Sequence, residues 1–114
     1  MRSLITTHVL DIAAGHPATG IDVVLEARTD RGFEKLGAGT TDDDGRIASL
    51  LPQQHELRPG TYRLTFDVGP YLRASGGSCF YDRIPIEFRI DAPSEHYHVP
   101  LLLSPHGYST YRGS

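Results

Sequence analysis

The chain has one cysteine, Cys79, among 114 residues. That excludes an internal disulfide and leaves no thiolate cluster for a metal. Tryptophan is absent. No run of about 20 apolar residues occurs, so no segment reads as a membrane-spanning helix. Charged residues make up 22% and the formal net charge is -3. The basic surface that nucleic acid or an anionic membrane requires is therefore missing, and neither is an expected partner. There is no Gly-x-Ser-x-Gly elbow, no glycine-rich phosphate loop and no internal repeat. Met1-Arg2-Ser3 runs straight into a strand-like segment without a basic-then-apolar leader. The final Arg112-Gly113-Ser114 is not a peroxisomal tripeptide. A cytoplasmic location is expected.

What is present suits a turn-rich β protein: 12 glycines, 8 prolines and 6 tyrosines. The length suits one domain, 1–114, able to bury a single core. Period-two alternation predicts strands over 4–10, 21–28, 33–40, 46–51, 61–68 and 84–91. Ile21, Val23, Leu25 and Ala27 should face inward, as should Tyr62, Leu64, Phe66 and Val68. Gly37 and Gly39 weaken the third strand and mark a bulge or an edge. Asp11 to Gly20 and Pro52 to Gly60 read as loops. Pro70 can open a single helical turn that Gly76 stops.

Residues 96–114 form the most informative stretch. An apolar run meets the break Ser104-Pro105-His106-Gly107, and an alternating aromatic/hydroxyl segment continues to Ser114. This predicts a hairpin whose second strand reaches the last residue. Tyr97, Val99, Leu101 and Leu103 share one face and can serve as core; His96, His98, Pro100 and Leu102 share the other. Imidazoles mixed with Leu and Pro suit a face covered by another subunit. Eight short strands in all predict an all-β, antiparallel two-sheet sandwich.

Few side chains remain for chemistry. His8 lies mid-strand, where a half-buried structural histidine is the ordinary outcome. Arg46 follows an Asp-Gly turn, where a solvated pair with Asp42 or Asp44 is the ordinary outcome. His98 reads as an interface residue. His96-x-His98 could also offer two imidazoles to a metal, joined by His8 or His106, but no cysteine or spaced carboxylate completes a tetrahedral set. Two histidines and an arginine could activate a water and hold an oxyanion. They could equally bind a small planar anion.

The segment from His98 to Pro105, followed by Tyr111-Arg112-Gly113-Ser114, resembles the C-terminal signature of the 5-hydroxyisourate hydrolases, transthyretin-like enzymes of urate breakdown. Thr6-Thr7-His8-Val9-Leu10-Asp11 and Thr41-Asp42-Asp43-Asp44-Gly45-Arg46 are similar to the other motifs of that family. The resemblance implies a transthyretin-like β-sandwich of eight strands in two sheets with one short helix. It implies a homotetramer with its active sites in a channel between dimers, and a hydrolase that opens the lactam ring of 5-hydroxyisourate. The product would be 2-oxo-4-hydroxy-4-carboxy-5-ureidoimidazoline, formed without metal or cofactor. His8, Arg46 and His98 map to catalytic positions, and His8, Arg46, Tyr111 and Ser114 to substrate-binding ones. The alternative is a sandwich module that holds a small aromatic ligand in the same channel without turning it over.

Overall fold

The computed structural model describes residues 4–52 and 55–114. The reading of Met1-Arg2-Ser3, and the Gln53-Gln54 part of the expected 52–60 loop, lie outside the described residues. In chain order the elements are β1 (Ile5–Asp11), β2 (His16–Pro17), β3 (Asp22–Thr29), β4 (Gly32–Thr40) and β5 (Arg46–Ile47). There follow β6 (Gly60–Asp67), α1 (Gly69–Ala74), β7 (Arg83–Ile90), β8 (Tyr97–Ser104) and β9 (Gly107–Thr110). They form two sheets. One runs β2-β1-β8-β9 with β5 also paired to β1; the other runs β4-β3-β6-β7.

The alternation seen in the sequence builds the core between the sheets. Ile5, Val9, Leu101 and Leu103 come from the first sheet, and Val23, Leu25, Leu64, Phe66 and Ile84 from the second; none is more than 1% exposed. Burying one such side chain contributes about 1.5–3 kcal/mol. The predicted inward faces of β3 and β6, and of Tyr97 to Leu103, are buried or partly buried as expected.

Three expectations are corrected. First, the sandwich is not wholly antiparallel. β1 and β8 pair in parallel along their length, from Ile5↔Tyr97 to Asp11↔Leu103. Alternation reports which face a residue takes, not the direction of the neighbouring strand, so the sequence pattern could not separate the two. Second, there are nine strands among the described residues rather than eight, and the first sheet has five. The extra one is β2, a two-residue pairing of Pro17 and His16 against Leu10 and Asp11 within the expected loop. Third, the strand expected over 46–51 lasts only for Arg46 and Ile47.

The shortening of β5 has a packing cause. Leu50 and Leu51 are both buried, which neighbouring residues of a flat strand cannot be on one face. The segment instead folds onto β4. A Cβ on Gly37 would strike the Leu50 carbonyl oxygen, and one on Gly39 would lie 2.7 Å from Ile47 Cγ2. Those glycines therefore permit a close approach. β4 is also the sheet edge, with Leu36 as the extra residue where the register slips between Leu25↔Gly37 and Glu26↔Lys35.

α1 matches the expected helical turn, with Pro70 in its first turn and Gly76 just beyond it at φ +79. It is tied to β1 by Tyr71, whose hydroxyl donates to Asp11 Oδ2 at 2.8 Å. Burial first, and the Asp11 bond second, push the Tyr71 phenol up to about 12. No helix among the described residues is long and apolar enough to cross a membrane.

Candidate active site

The parallel register of β1 and β8 sets Thr6 opposite His98 and His8 opposite Pro100. On its other side, β1 sets His8 opposite Arg46 of β5. One sheet face thus gathers Thr6, His8, Arg46 and His98 from three stretches far apart in the chain.

Arg46 is aimed by the turn that precedes it. Asp42 Oδ1 accepts from the backbone N–H of Asp44 at 2.9 Å and of Arg46 at 3.0 Å. The Arg46 N–H bond is the main reason the Asp42 carboxyl sits below its ordinary value. Gly45 adopts φ +76 and donates its N–H to the Asp42 carbonyl at 2.9 Å. A Cβ there would strike the Val9 carbonyl oxygen, so the turn can press on β1 only with glycine. The carboxylate is spent on backbone donors. Among the described residues the Arg46 guanidinium forms no ion pair with Asp42 or Asp44, contrary to the ordinary outcome for such a turn.

The histidines are held by oxygens. His8 Nε2 lies 2.8 Å from the Asp44 carbonyl oxygen. A carbonyl only accepts, so this bond puts the proton on Nε2. The Thr6 hydroxyl lies 2.8 Å from His98 Nδ1 and 3.0 Å from His96 Nε2, and the two rings stack with centroids 6.3 Å apart. His106, weighed as a further imidazole, instead contacts Ser78 Oγ at 3.0 Å. Thr6 is the residue that sequence reasoning missed. Its parity put it on the face of His8, but nothing local announces a contact across ninety-two positions.

The C-terminal segment does not stay a strand to the end. The β8·β9 ladder runs from Ser104↔Gly107 to Leu101↔Thr110 and stops. Pro100 has no N–H to offer next, and Thr110 Oγ1 donates to its carbonyl at 2.7 Å instead. The register resumes at one bridge, where Gly113 N–H donates to the His98 carbonyl at 2.8 Å. Arg112 reaches Glu95 at 3.0 Å and covers the Tyr97 ring. Ser114 is thereby carried to the sheet face.

The result is a cavity of about 100 Å3 lined by Thr6, Arg46, Ala48, His98 and Ser114 among others. Arg46, His98 and Ser114 are therefore brought together. His8 is their neighbour across β1 but does not line this cavity. Tyr111 is 56% exposed and lines a separate cleft of about 230 Å3 with Ile86, Phe88, Tyr97 and Val99. A larger groove of about 940 Å3 crosses the outer face of the other sheet. It contains no histidine, and Arg63 and Arg73 within it are paired with Glu26 and Asp82. The small cavity is where an imidazole, a guanidinium and a hydroxyl converge. It can hold a water against an imidazole and place a guanidinium beside a developing oxyanion.

Comparison with known proteins agrees with this fold. Residues 5–113 match the model of the HIUase/Transthyretin family. The 5-hydroxyisourate hydrolase of Salmonella typhimurium is 48% identical over 113 residues, covering 99% of this chain and 82% of that protein. The structure of Klebsiella pneumoniae 5-hydroxyisourate hydrolase superposes with a TM-score of 0.82 at 37% identity, covering 96% of this chain and 98% of that one. Sea bream transthyretin, solved in complex with thyroxine, superposes with a TM-score of 0.88 at 29% identity over 97% of this chain and 95% of that one.

Proposed function

This chain belongs to the HIUase/transthyretin family, and from that premise we propose that it is a 5-hydroxyisourate hydrolase that opens the substrate's lactam ring. The observation that carries the reading is the meeting of Arg46, His98 and Ser114 around one cavity, in a chain 48% identical to an enzyme of that name. The thyroxine complex of the 29% identical transthyretin favours the alternative, a ligand-holding module. Among the described residues the Arg46 guanidinium has no acidic ion-pair partner, which leaves it available to a developing oxyanion and argues for turnover.

The chemistry follows from the groups. His98 takes a proton from water, and the hydroxide attacks the lactam carbonyl. Arg46 stabilises the oxyanion with its forked donors. The C–N bond then breaks and the ring nitrogen receives the proton. His8, with Nε2 bonded to Asp44, orients substrate from the neighbouring position and Ser114 binds the water; Tyr111, which lines a separate cleft of its own chain, binds the ring only across a junction between copies.

A cavity of about 100 Å3 is below the roughly 300–1,000 Å3 of ordinary ligand pockets. Further copies of the chain would complete it. A homotetramer is the assembly we propose, built from a single 1–114 domain acting in cytoplasmic purine breakdown. The partly exposed Leu4, Leu10 and Leu102 on the same face support a covered surface.

The test is the decay of freshly generated 5-hydroxyisourate, followed by its ultraviolet absorbance. Trace protein should clear a large excess of substrate, and His98→Asn should remove that activity. A spectral change limited to one equivalent per chain would favour the binding module, and full turnover by His98→Asn would remove His98 from the mechanism.

A further inference from the structure

We infer that Thr6 and His96 are positioning residues for the ring-opening step, forming with His98 a relay that moves positive charge off the catalytic imidazole. The inference rests on the assignment of His98 as the base. Its starting point is that one oxygen, Thr6 Oγ1, lies within hydrogen-bond distance of both rings, 2.8 Å from His98 Nδ1 and 3.0 Å from His96 Nε2. A hydroxyl has one proton. With both rings neutral, it donates to one imidazole and accepts from the other, so the two tautomers are coupled.

Of the two arrangements, only one suits a base. His98 Nδ1–H donates to Thr6, and the Thr6 O–H donates to His96 Nε2. His98 Nε2 then carries no proton and can take one from water. Once it does, His98 would be a cation in a cavity that the Arg46 guanidinium also lines, and like charges at close range repel. The relay relieves this. The Nδ1 proton passes to Thr6 Oγ1 as the Thr6 proton passes to His96 Nε2. His98 becomes neutral with its proton on Nε2, and the charge sits on His96, whose ring centre is 6.3 Å from that of His98.

The second half of the reaction reverses the transfer. As the C–N bond breaks, Nε2–H protonates the departing ring nitrogen, and the two relay protons return along the same atoms. One C–O and one N–H bond form, one O–H and one C–N bond break, and the protein neither keeps nor loses a proton.

The experiment is kcat for 5-hydroxyisourate in mixtures of light and heavy water, measured on the full chain. Wild type should give a bowed dependence on deuterium fraction, as more than one proton moves. His96→Gln preserves an acceptor for Thr6 but cannot take up a proton. It should lower kcat about tenfold, less than the roughly 100- to 10,000-fold that a direct general acid or base contributes, leave KM within twofold, and straighten the plot. Thr6→Val should do the same, the two together should be no slower than either, and Thr6→Ser should restore both the bow and the rate. A linear wild-type plot, or His96→Gln with wild-type kcat and an unchanged bow, overturns the relay. Wild-type turnover by His98→Asn would instead overturn the base assignment, so the two failures are read on different variants.

Discussion

Gly113 is the point at which one methyl group should separate activity from stability. A Cβ at this position would lie 2.6 Å from Cδ2 of His98, 3.4 Å from its Cγ and 3.2 Å from Pro100 Cγ. Carbon atoms prefer about 3.5–4.0 Å, so Gly113→Ala must open the gap to His98 by about 1 Å. The ring is also held by Thr6 and the tail by the Gly113 N–H bond to the His98 carbonyl at 2.8 Å. Something gives: the imidazole turns off Thr6, or the tail lifts and takes Ser114 with it. Losing the backbone bond costs about 1 kcal/mol, a fall in Tm of about 4 °C for a chain of this size. A misplacement of about 1 Å at a reacting group can cost on the order of 100-fold in rate. The expected result is kcat down about two orders of magnitude in the 5-hydroxyisourate decay assay, with a thermal shift of only a few degrees. Gly107→Ala, in the same hairpin, is the control, because its Cβ would meet only Ser104 Oγ at 3.8 Å. It should keep both rate and Tm. Wild-type kcat in Gly113→Ala would refute the claim that this close approach positions His98.

Other perturbations reach different parts of the argument. Arg46→Lys keeps the charge but loses the fork; kcat/KM should fall by about 100-fold with an unchanged urea midpoint, and a loss below threefold would remove Arg46 as the oxyanion donor. Tyr71 has its phenol pushed up to about 12, so the protonated form is favoured by folding. The stability it supplies is whole below about pH 10 and is lost as pH rises through about 12. Tyr71→Phe should cost about 1.5–3 kcal/mol at neutral pH, the range for a bond to a charged acceptor, and flatten the alkaline stability curve; parallel curves would contradict this. Gly37→Ala forces a methyl into the Leu50 carbonyl and should destabilise by about 1–3 kcal/mol in urea. Gly77→Ala, whose nearest neighbours would be at 3.8 Å and 4.0 Å, should not.

Much of the architecture was legible residue by residue. The buried faces Val23/Leu25 and Tyr62/Leu64/Phe66 follow from side chains that alternate along a strand. The Asp42–Gly45 turn follows from an acceptor side chain and a residue tolerant of positive φ. The hairpin at Ser104-Pro105-His106-Gly107 was visible for the same kind of reason. What misled was any step that needed a distant neighbour. Leu50 and Leu51 broke the expected strand because glycines in β4 leave room for that segment. The alternation of Tyr108 to Ser114 suggested an unbroken strand, but the missing N–H of Pro100 interrupts its partner.

The candidate site divides along the same line. Composition and local pattern determined that His8, Arg46 and His98 exist on half-buried or turn positions of a β-sandwich, and which face each takes, because backbone preferences and alternation act over a few residues. Tertiary structure alone decided that β1 and β8 run in parallel, that Thr6 bridges His96 and His98, and that Ser114 arrives beside Arg46. Those outcomes depend on register between strands some ninety residues apart. Register is set by how two sheets close over a shared core, a sum over many contacts that no short stretch of the chain contains.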